Sequence, residues 1–298
     1  MGIPPRLASA VDEDGIPSRH DWLAALPRQI EEIAQTWSLE LGEPILPGGQ
    51  CAWVAPVRDR DGRELVLKVG WRHPEAEHEA DALRLWQGDG AVRCYDALTL
   101  DDTAVLLLER CVPGVPLGAV LAEPEQDVVV ASLLRRLRTH SPAAGHPFRP
   151  LHEICDAWAD EFETDFAADS RGLDSGIARQ VANLLRALPR SAQHEVLLCT
   201  DLHAENILSA DRDPWLAIDP KPFIGDPAFD AVQHMLNCDE RLALDPVALA
   251  HRMADLLQVD RERVTLWLFA RCGQGAIDDH RMRRVIASLQ RHLASGVD

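Results

Sequence analysis

The chain carries two kinds of periodicity, and the change from one to the other divides it. Residues 21–37 (DWLAALPRQIEEIAQTW) set Leu23, Leu26, Ile30 and Ile33 at helical spacing, with Pro27 predicted to break or kink the run. Residues 41–57 read as strand, turn, strand around Pro47-Gly48-Gly49. Asp61-Gly62 marks a hairpin, and Leu65-Val66-Leu67-Lys68-Val69 is a strand. HPEAEHEADALRLW, from His73 to Trp86, predicts a helix whose early acidic residues complement its dipole. Two further strands follow within residues 91–110, joined by Asp101-Asp102, and then Pro113, Gly114 and Pro116 mark a linker.

Beyond the linker, helical patterns dominate: 124–139, 151–169, 174–188, 229–237, 246–257, 261–272 and 278–294. The exception is a β-like stretch at 196–219. The expected fold class is therefore α+β, with a small β-rich N-lobe (residues 1–110), a hinge, and a larger helical C-lobe (111–298).

Composition narrows the field. The chain has 298 residues, of which 46% are hydrophobic, enough for a sizeable core, yet no apolar run reaches membrane-spanning length. A formal net charge of −18 repels nucleic acid and anionic membrane and favours a cationic partner. Seven scattered cysteines without a CxxC pair fit reduced thiols, and the N-terminus shows no secretory pattern, so a cytoplasmic location is expected. Lys and Arg total 30, but only Lys68 and Lys221 are lysines. A lysine retained in so arginine-rich a chain suggests a task for a compact ammonium, such as a crowded phosphate site.

The chemistry concentrates in CTDLHAENILSADRDPWLAID, residues 199–219. Ile207-Leu208 and Trp215 to Ile218 are apolar, and residues 211–214 form a turn between them. If the two runs pair, Asn206 and Asp219 close the open end of a hairpin and offer an amide oxygen and a carboxylate, a hard-oxygen site suited to Mg²⁺. Asp201, five residues before Asn206, completes the D-x-x-x-x-N arrangement of a phosphotransferase catalytic loop. In that reading Asp201 takes the proton of an attacking hydroxyl. The same chemistry needs a strand lysine on nucleotide phosphates, a helical Glu to position it, and a turn to cover the phosphates. Lys68 supplies the first, Glu75, Glu77 or Glu79 the second, and the turn at Gly48 and Gly49 the third, all in the required order.

These residues resemble the aminoglycoside phosphotransferase family, most nearly its streptomycin 6-phosphotransferase and hydroxyurea/aminoglycoside resistance branch. The stretches that carry the resemblance are HPEAEHEADALRLW, LLLERCVPGVPL, TDLHAENIL and LAIDPKPFIGDPAFDAVQH. The resemblance implies a bilobal protein-kinase-like fold and ATP-dependent, Mg²⁺-requiring phosphorylation of a hydroxyl on a small cationic antibiotic, streptomycin foremost. It implies Glu79 as the partner of Lys68, backbone contacts to adenine from the strand end at Glu109 to Cys111, and Asp219 as the metal carboxylate. Where the family usually reads H-G-D, this chain has Cys199-Thr200-Asp201, so the glycine is missing. The partner is expected to be a small molecule, with neither nucleic acid nor membrane, and the protein a monomer.

Each residue also has a plainer reading. His203 fits a hydrogen-bonded loop residue better than a base, Asp226 fits a brace for the loop, and Lys221 fits a phosphate contact and a surface ion pair equally. Asp160 and Glu163 on the acidic helix, with Asp278 and Asp279 near the C-terminus, are the candidates for holding a cationic sugar, against a simple solvated face. Three other functions compete: a kinase of another small molecule such as hydroxyurea or an amino sugar, a metal-dependent hydrolase using Asp201 and His203, and a silent nucleotide-binding module. The hydrolase lacks an H-x-H or H-E-x-x-H motif, and the complete Lys68, Asp201, Asn206, Asp219 set argues against a silent module.

Overall fold

The computed structural model describes residues 2–295. The chain separates into two compact units, Met1–Gly114 and Val115–Asp298.

The first unit opens with two helices, α1 (Pro5–Asp14) and α2 (Pro17–Trp37). An antiparallel sheet follows, made of β1 (Glu40–Leu41), β2 (Ala52–Arg58), β3 (Glu64–Trp71), β4 (Cys94–Leu100) and β5 (Thr103–Glu109), in the order β1-β2-β3-β5-β4. Helix α3 (Glu79–Trp86) lies between β3 and β4 in the chain, after a single 3₁₀ turn at Pro74–Ala76. The expected helix from His73 is thus shorter than its pattern. His78 takes a left-handed φ of 67° and resets the backbone before Glu79.

Strand alternation decides what β3 faces. Leu65, Leu67 and Val69 are buried in one cluster with Trp22, Leu26, Ile30 and Ile33 of α2 and Trp53 of β2. Lys68 belongs to the other face. Pro27 does not break α2, which runs through it from Pro17 to Trp37. The reason is tertiary: Trp22 and Leu26 on one side and Ile30 and Ile33 on the other form one buried stripe against the sheet, which outweighs the lost amide donor. The Trp22 indole also donates to Thr103 Oγ1 on β5 at 3.1 Å. Arg19 on α2, nearly buried, donates to the Gln50 carbonyl at 2.5 Å and so backs the glycine turn.

The second unit is mainly helical. After β6 (Pro113–Pro116), which spans the boundary, come α4 (Glu123–Leu137), α5 (Leu151–Ala168) and α6 (Ser175–Arg190). Four short strands then interrupt: β7 (Val196–Leu198), β8 (Ile207–Ala210), β9 (Trp215–Ala217) and β10 (Phe223–Gly225). The chain ends with α7 (Val232–Leu236), α8 (Asp239–Leu244), α9 (Pro246–Leu257), α10 (Arg261–Gly275) and α11 (His280–Ser295). The helix read over 229–237 is only a five-residue α7, and α8 beside it was hidden by the weak periodicity of so short a segment. No described helix is long and apolar enough to cross a membrane.

Truncating Trp22 tests the α2–sheet interface. Trp22→Ala should cost about 3–5 kcal/mol, because it opens a cavity in the core and strips Thr103 of a buried donor. Urea unfolding followed by circular dichroism measures it, and a loss below about 1 kcal/mol would show that α2 is not structural.

Candidate active site

The first unit holds an ion pair. Lys68, at the centre of β3 and opposite Val54 and Leu106, places Nζ 2.8 and 2.6 Å from the two carboxylate oxygens of Glu79. Glu79 is the first residue of α3, where the helix dipole favours an anion. Only 14% of the Lys68 side chain and 5% of the Glu79 side chain are exposed, so removing either partner would strand a shielded charge. In the glycine turn, Gly48 has a φ of +85°, and a Cβ there would lie 2.5 Å from Pro4 Cβ, so its glycine is demanded by packing. Gly49 is different: a Cβ would meet nothing nearer than the Ala52 carbonyl at 4.0 Å, which leaves that backbone open to a close ligand. At the other strand end, Glu109 accepts the Arg93 amide at 3.0 Å and Cys111 is half-buried.

The second unit holds a loop and a hairpin. β8 and β9 pair with Ile207 opposite Ala217, and the Ile218 amide donates to the Asn206 carbonyl at 2.9 Å. This last rung sets Asn206 beside the residues that lead into Asp219, as the apolar pattern requires. The Asn206 amide nitrogen donates to the Asp201 carbonyl at 3.0 Å. That fixes the side chain and leaves its oxygen without a partner among the described residues. An oriented amide oxygen next to a carboxylate is a donor set that fits Mg²⁺.

Asp201 itself is held tightly. Its Oδ2 lies 2.8 Å from Lys221 Nζ, with 14% of the Asp201 side chain exposed, and among the described residues its Oδ1 has no partner. Preceding it, Thr200 sits in the left-handed region at φ 49°, which a β-branched residue occupies only under strain. This is the position where the resembled motif has glycine. Two contacts hold the conformation: Thr200 Oγ1 donates to the Lys221 carbonyl at 2.5 Å, and the Thr200 amide donates to Asp230 Oδ1 at 2.7 Å. Asp219 is left-handed as well, at φ 54°.

The loop's brace is Asp230, not Asp226 as the sequence suggested. Asp230 accepts the amides of Cys199 and Thr200 at 3.0 and 2.7 Å. Asp226 instead accepts from the Trp267 indole at 2.6 Å and Arg263 Nε at 2.5 Å, tying the end of β10 to α10. Nor does Asp230 cap a helix; that position before α7 belongs to Ala231. Burial pushes the Asp230 carboxyl up to about 6, against the opposing pull of the two amides. No local signal links residue 230 to residue 199, so only a spacing learned from relatives could have found this contact.

His203 is mostly buried, and burial lowers its pKa; its Nδ1 is enclosed and makes no hydrogen bond. The expectation of a hydrogen-bonded loop histidine therefore fails at that nitrogen. The Cys199 thiol is fully buried, which drives its pKa well up and removes it as a nucleophile. The acidic candidates for sugar binding are already answered by arginines. Arg186 pairs with Asp160 at 2.6 Å and Glu163 at 2.7 Å, Arg171 pairs with Asp278 at 2.5 Å, and Asp279 accepts from Arg281. Each of the four acids is thus an ion-pair partner of an arginine.

A second cluster was invisible in the sequence. Asp127, His234 and Cys238 are buried together, with His234 Nε2 2.9 Å from Asp127 Oδ1. Burial alone would raise the Asp127 carboxyl, but hydrogen bonds from His234, Arg241 and Arg252 outweigh it and hold the group well below the usual carboxylate range. Two guanidiniums already neutralise this carboxylate, which makes it an internal tie between α4, α7, α8 and α9 and a poor cation ligand.

Comparison with known proteins matches this architecture. The family described as aminoglycoside/hydroxyurea antibiotic resistance kinase matches residues 38–282. A streptomycin 6-kinase of Streptomyces griseus is 33% identical over 93% of this chain and 90% of its own length. A hydroxyurea phosphotransferase of Kitasatospora aureofaciens is 32% identical over 92% and 79%. Among solved structures, the choline kinase LicA of Streptococcus pneumoniae superposes with a TM-score of 0.62 at 14% identity, covering 89% of this chain and 99% of that one. An aminoglycoside phosphotransferase of Streptomyces rimosus, solved with ADP and streptomycin, gives 0.53 at 18% identity, covering 88% and 98%. These structural likenesses establish the kinase-like fold.

The raised Asp230 carboxyl has a measurable consequence. Its folded pKa of about 6 exceeds the unfolded value of about 3.9, so the folded chain binds this proton more tightly. The group's contribution to stability therefore falls as pH rises from about 4 through about 6 and is flat above that. Asp230→Asn removes the titration, so the melting temperature of the variant minus that of the wild type should climb by a few degrees across this window. A difference that stays constant from pH 4.5 to 7 would refute the assignment.

Proposed function

The chain belongs to the aminoglycoside/hydroxyurea antibiotic resistance kinase family, and on that premise we propose that it transfers the γ-phosphoryl group of ATP to the 6-hydroxyl of streptomycin, conferring resistance. One observation carries the site assignment: Asp201 is fixed through one oxygen and the loop backbone while its other oxygen stays unclaimed among the described residues, next to an Asn206 whose amide oxygen is likewise unclaimed. That is the arrangement a hydroxyl-activating carboxylate and a metal ligand require.

In this reading Asp201 Oδ1 accepts the proton of the acceptor hydroxyl as its oxygen attacks phosphorus. The oxygen–phosphorus bond forms while the bond to the departing ADP breaks. Asn206 and Asp219 would hold Mg²⁺, which when bound neutralises charge on the nucleotide phosphates. Lys68, kept in place by Glu79, would contact the α- and β-phosphates, the backbone at Gly48 and Gly49 would cover them, and the segment from Glu109 to Cys111 would receive adenine. The work of these residues is positioning and charge stabilisation. The net charge of −18 supports a cationic acceptor, although the paired acidic residues named above do not single out its contacts. Seven scattered cysteines without a CxxC pair support a reducing compartment, and we place the protein in the cytoplasm as a monomer.

A coupled ADP-release assay over streptomycin, hydroxyurea and amino sugars tests the acceptor. Streptomycin should release ADP stoichiometrically and yield a product phosphorylated at the 6-hydroxyl. Silence with streptomycin and turnover with hydroxyurea would move the assignment to the second relative's activity. Asp201→Ala should lower turnover by at least about 10²-fold while the stabilisation of the protein by ADP persists; near-normal turnover would remove Asp201 as the base.

A further inference from the structure

Lys221 is one of only two lysines in a chain whose Lys and Arg total 30, and nothing above gives it a task. Several features make its contact with Asp201 a constructed one. The Lys221 amide donates to the Cys199 carbonyl at 2.9 Å, and its own carbonyl accepts Thr200 Oγ1 at 2.5 Å. Pro220 and Pro222 flank it and restrict the backbone on both sides. Lys221 is thus fastened to the two residues that precede Asp201, and its ammonium meets Asp201 Oδ2 at 2.8 Å. The side chains are 29% and 14% exposed, so the pair is shielded beyond an ordinary surface ion pair.

We propose that Lys221 is the positioning residue of the base: its ammonium occupies Asp201 Oδ2 and fixes the carboxylate plane, so that Oδ1 alone is presented to the acceptor hydroxyl. The choice of lysine follows from geometry. A planar guanidinium engages a carboxylate through both oxygens at once and would close Oδ1. A compact ammonium claims one oxygen and leaves the other. That explains a lysine where the chain uses arginine almost everywhere else. During transfer the hydroxyl proton passes to Asp201 Oδ1, and the ammonium keeps its own protons. The inference rests on the reading of Asp201 as the base.

The experiment compares Lys221→Arg and Lys221→Gln with Asp201→Asn in the same assay. Both Lys221 variants should lose about 10- to 100-fold in kcat, while KM for ATP and for the acceptor changes by less than about threefold. The conservative Lys221→Arg should not rescue, although it keeps the charge. In the Asp201→Asn background, adding Lys221→Arg should cause no further loss, because its effect passes through that carboxylate. Melting curves and stabilisation by ADP check folding; if Lys221→Arg is unfolded, the kcat of Lys221→Gln and its non-additivity with Asp201→Asn decide. Wild-type kcat in Lys221→Arg, a rise in KM for ATP at unchanged kcat, or full additivity with Asp201→Asn would overturn the proposal. Normal turnover of Asp201→Asn by itself would instead overturn the base assignment, a distinguishable failure.

Discussion

The left-handed turn at Thr200 is the constraint on which the candidate catalytic segment depends. A β-branched residue at φ 49° costs on the order of 1–3 kcal/mol, and the surrounding structure has to supply it. Asp230 takes the amides of Cys199 and Thr200 from one side, and the Lys221 carbonyl takes the Thr200 hydroxyl from the other. The turn then aims Asp201, Asp201 receives Lys221, and the carbonyl of Asp201 orients Asn206. Thr200 thus holds, with its hydroxyl as one fastener, a left-handed conformation that glycine adopts freely.

The two lysines illustrate one physical rule in two settings. Each faces a carboxylate in a partly shielded place, Lys68 with Glu79 and Lys221 with Asp201. Lys68 contacts both oxygens of its partner, as suits a pair whose role is to hold the ammonium. Lys221 meets Asp201 at Oδ2, as the proposed positioning of that carboxylate requires. Elsewhere the chain pairs acids with arginines, in the exposed ladders of α5 with α6 and in the buried tie at Asp127, where planar forks that saturate a carboxylate are an advantage.

Much of the site was legible because its signals are local. The apolar runs on either side of residues 211–214 dictate a hairpin, a hairpin brings its ends together, and Asn206 and Asp219 stand at those ends. The strand around Lys68 reads from alternation, and its opposite face was bound to be buried. Pro27 was misleading because local propensity is weaker than a helix stripe buried against a sheet. The arginine partners of acidic residues 160, 163, 278 and 279, which come from α6, the α5–α6 connection and α11, were not legible because a sequence shows charges without their partners.

By itself the sequence determined most element types, the two-part organisation and which residues are candidates for chemistry, since periodicity, turn residues and motif spacing are all short-range quantities. Only the tertiary structure decided how those residues are held. Asp230 reaches back to residues 199 and 200, Lys221 folds onto Asp201, and Asp127 gathers three cationic or titratable partners from the distant helices α7, α8 and α9. Those contacts join positions up to 125 residues apart, as Arg252 with Asp127. A hydrogen bond depends on ångström distances between atoms, and such distances exist only once the chain has folded.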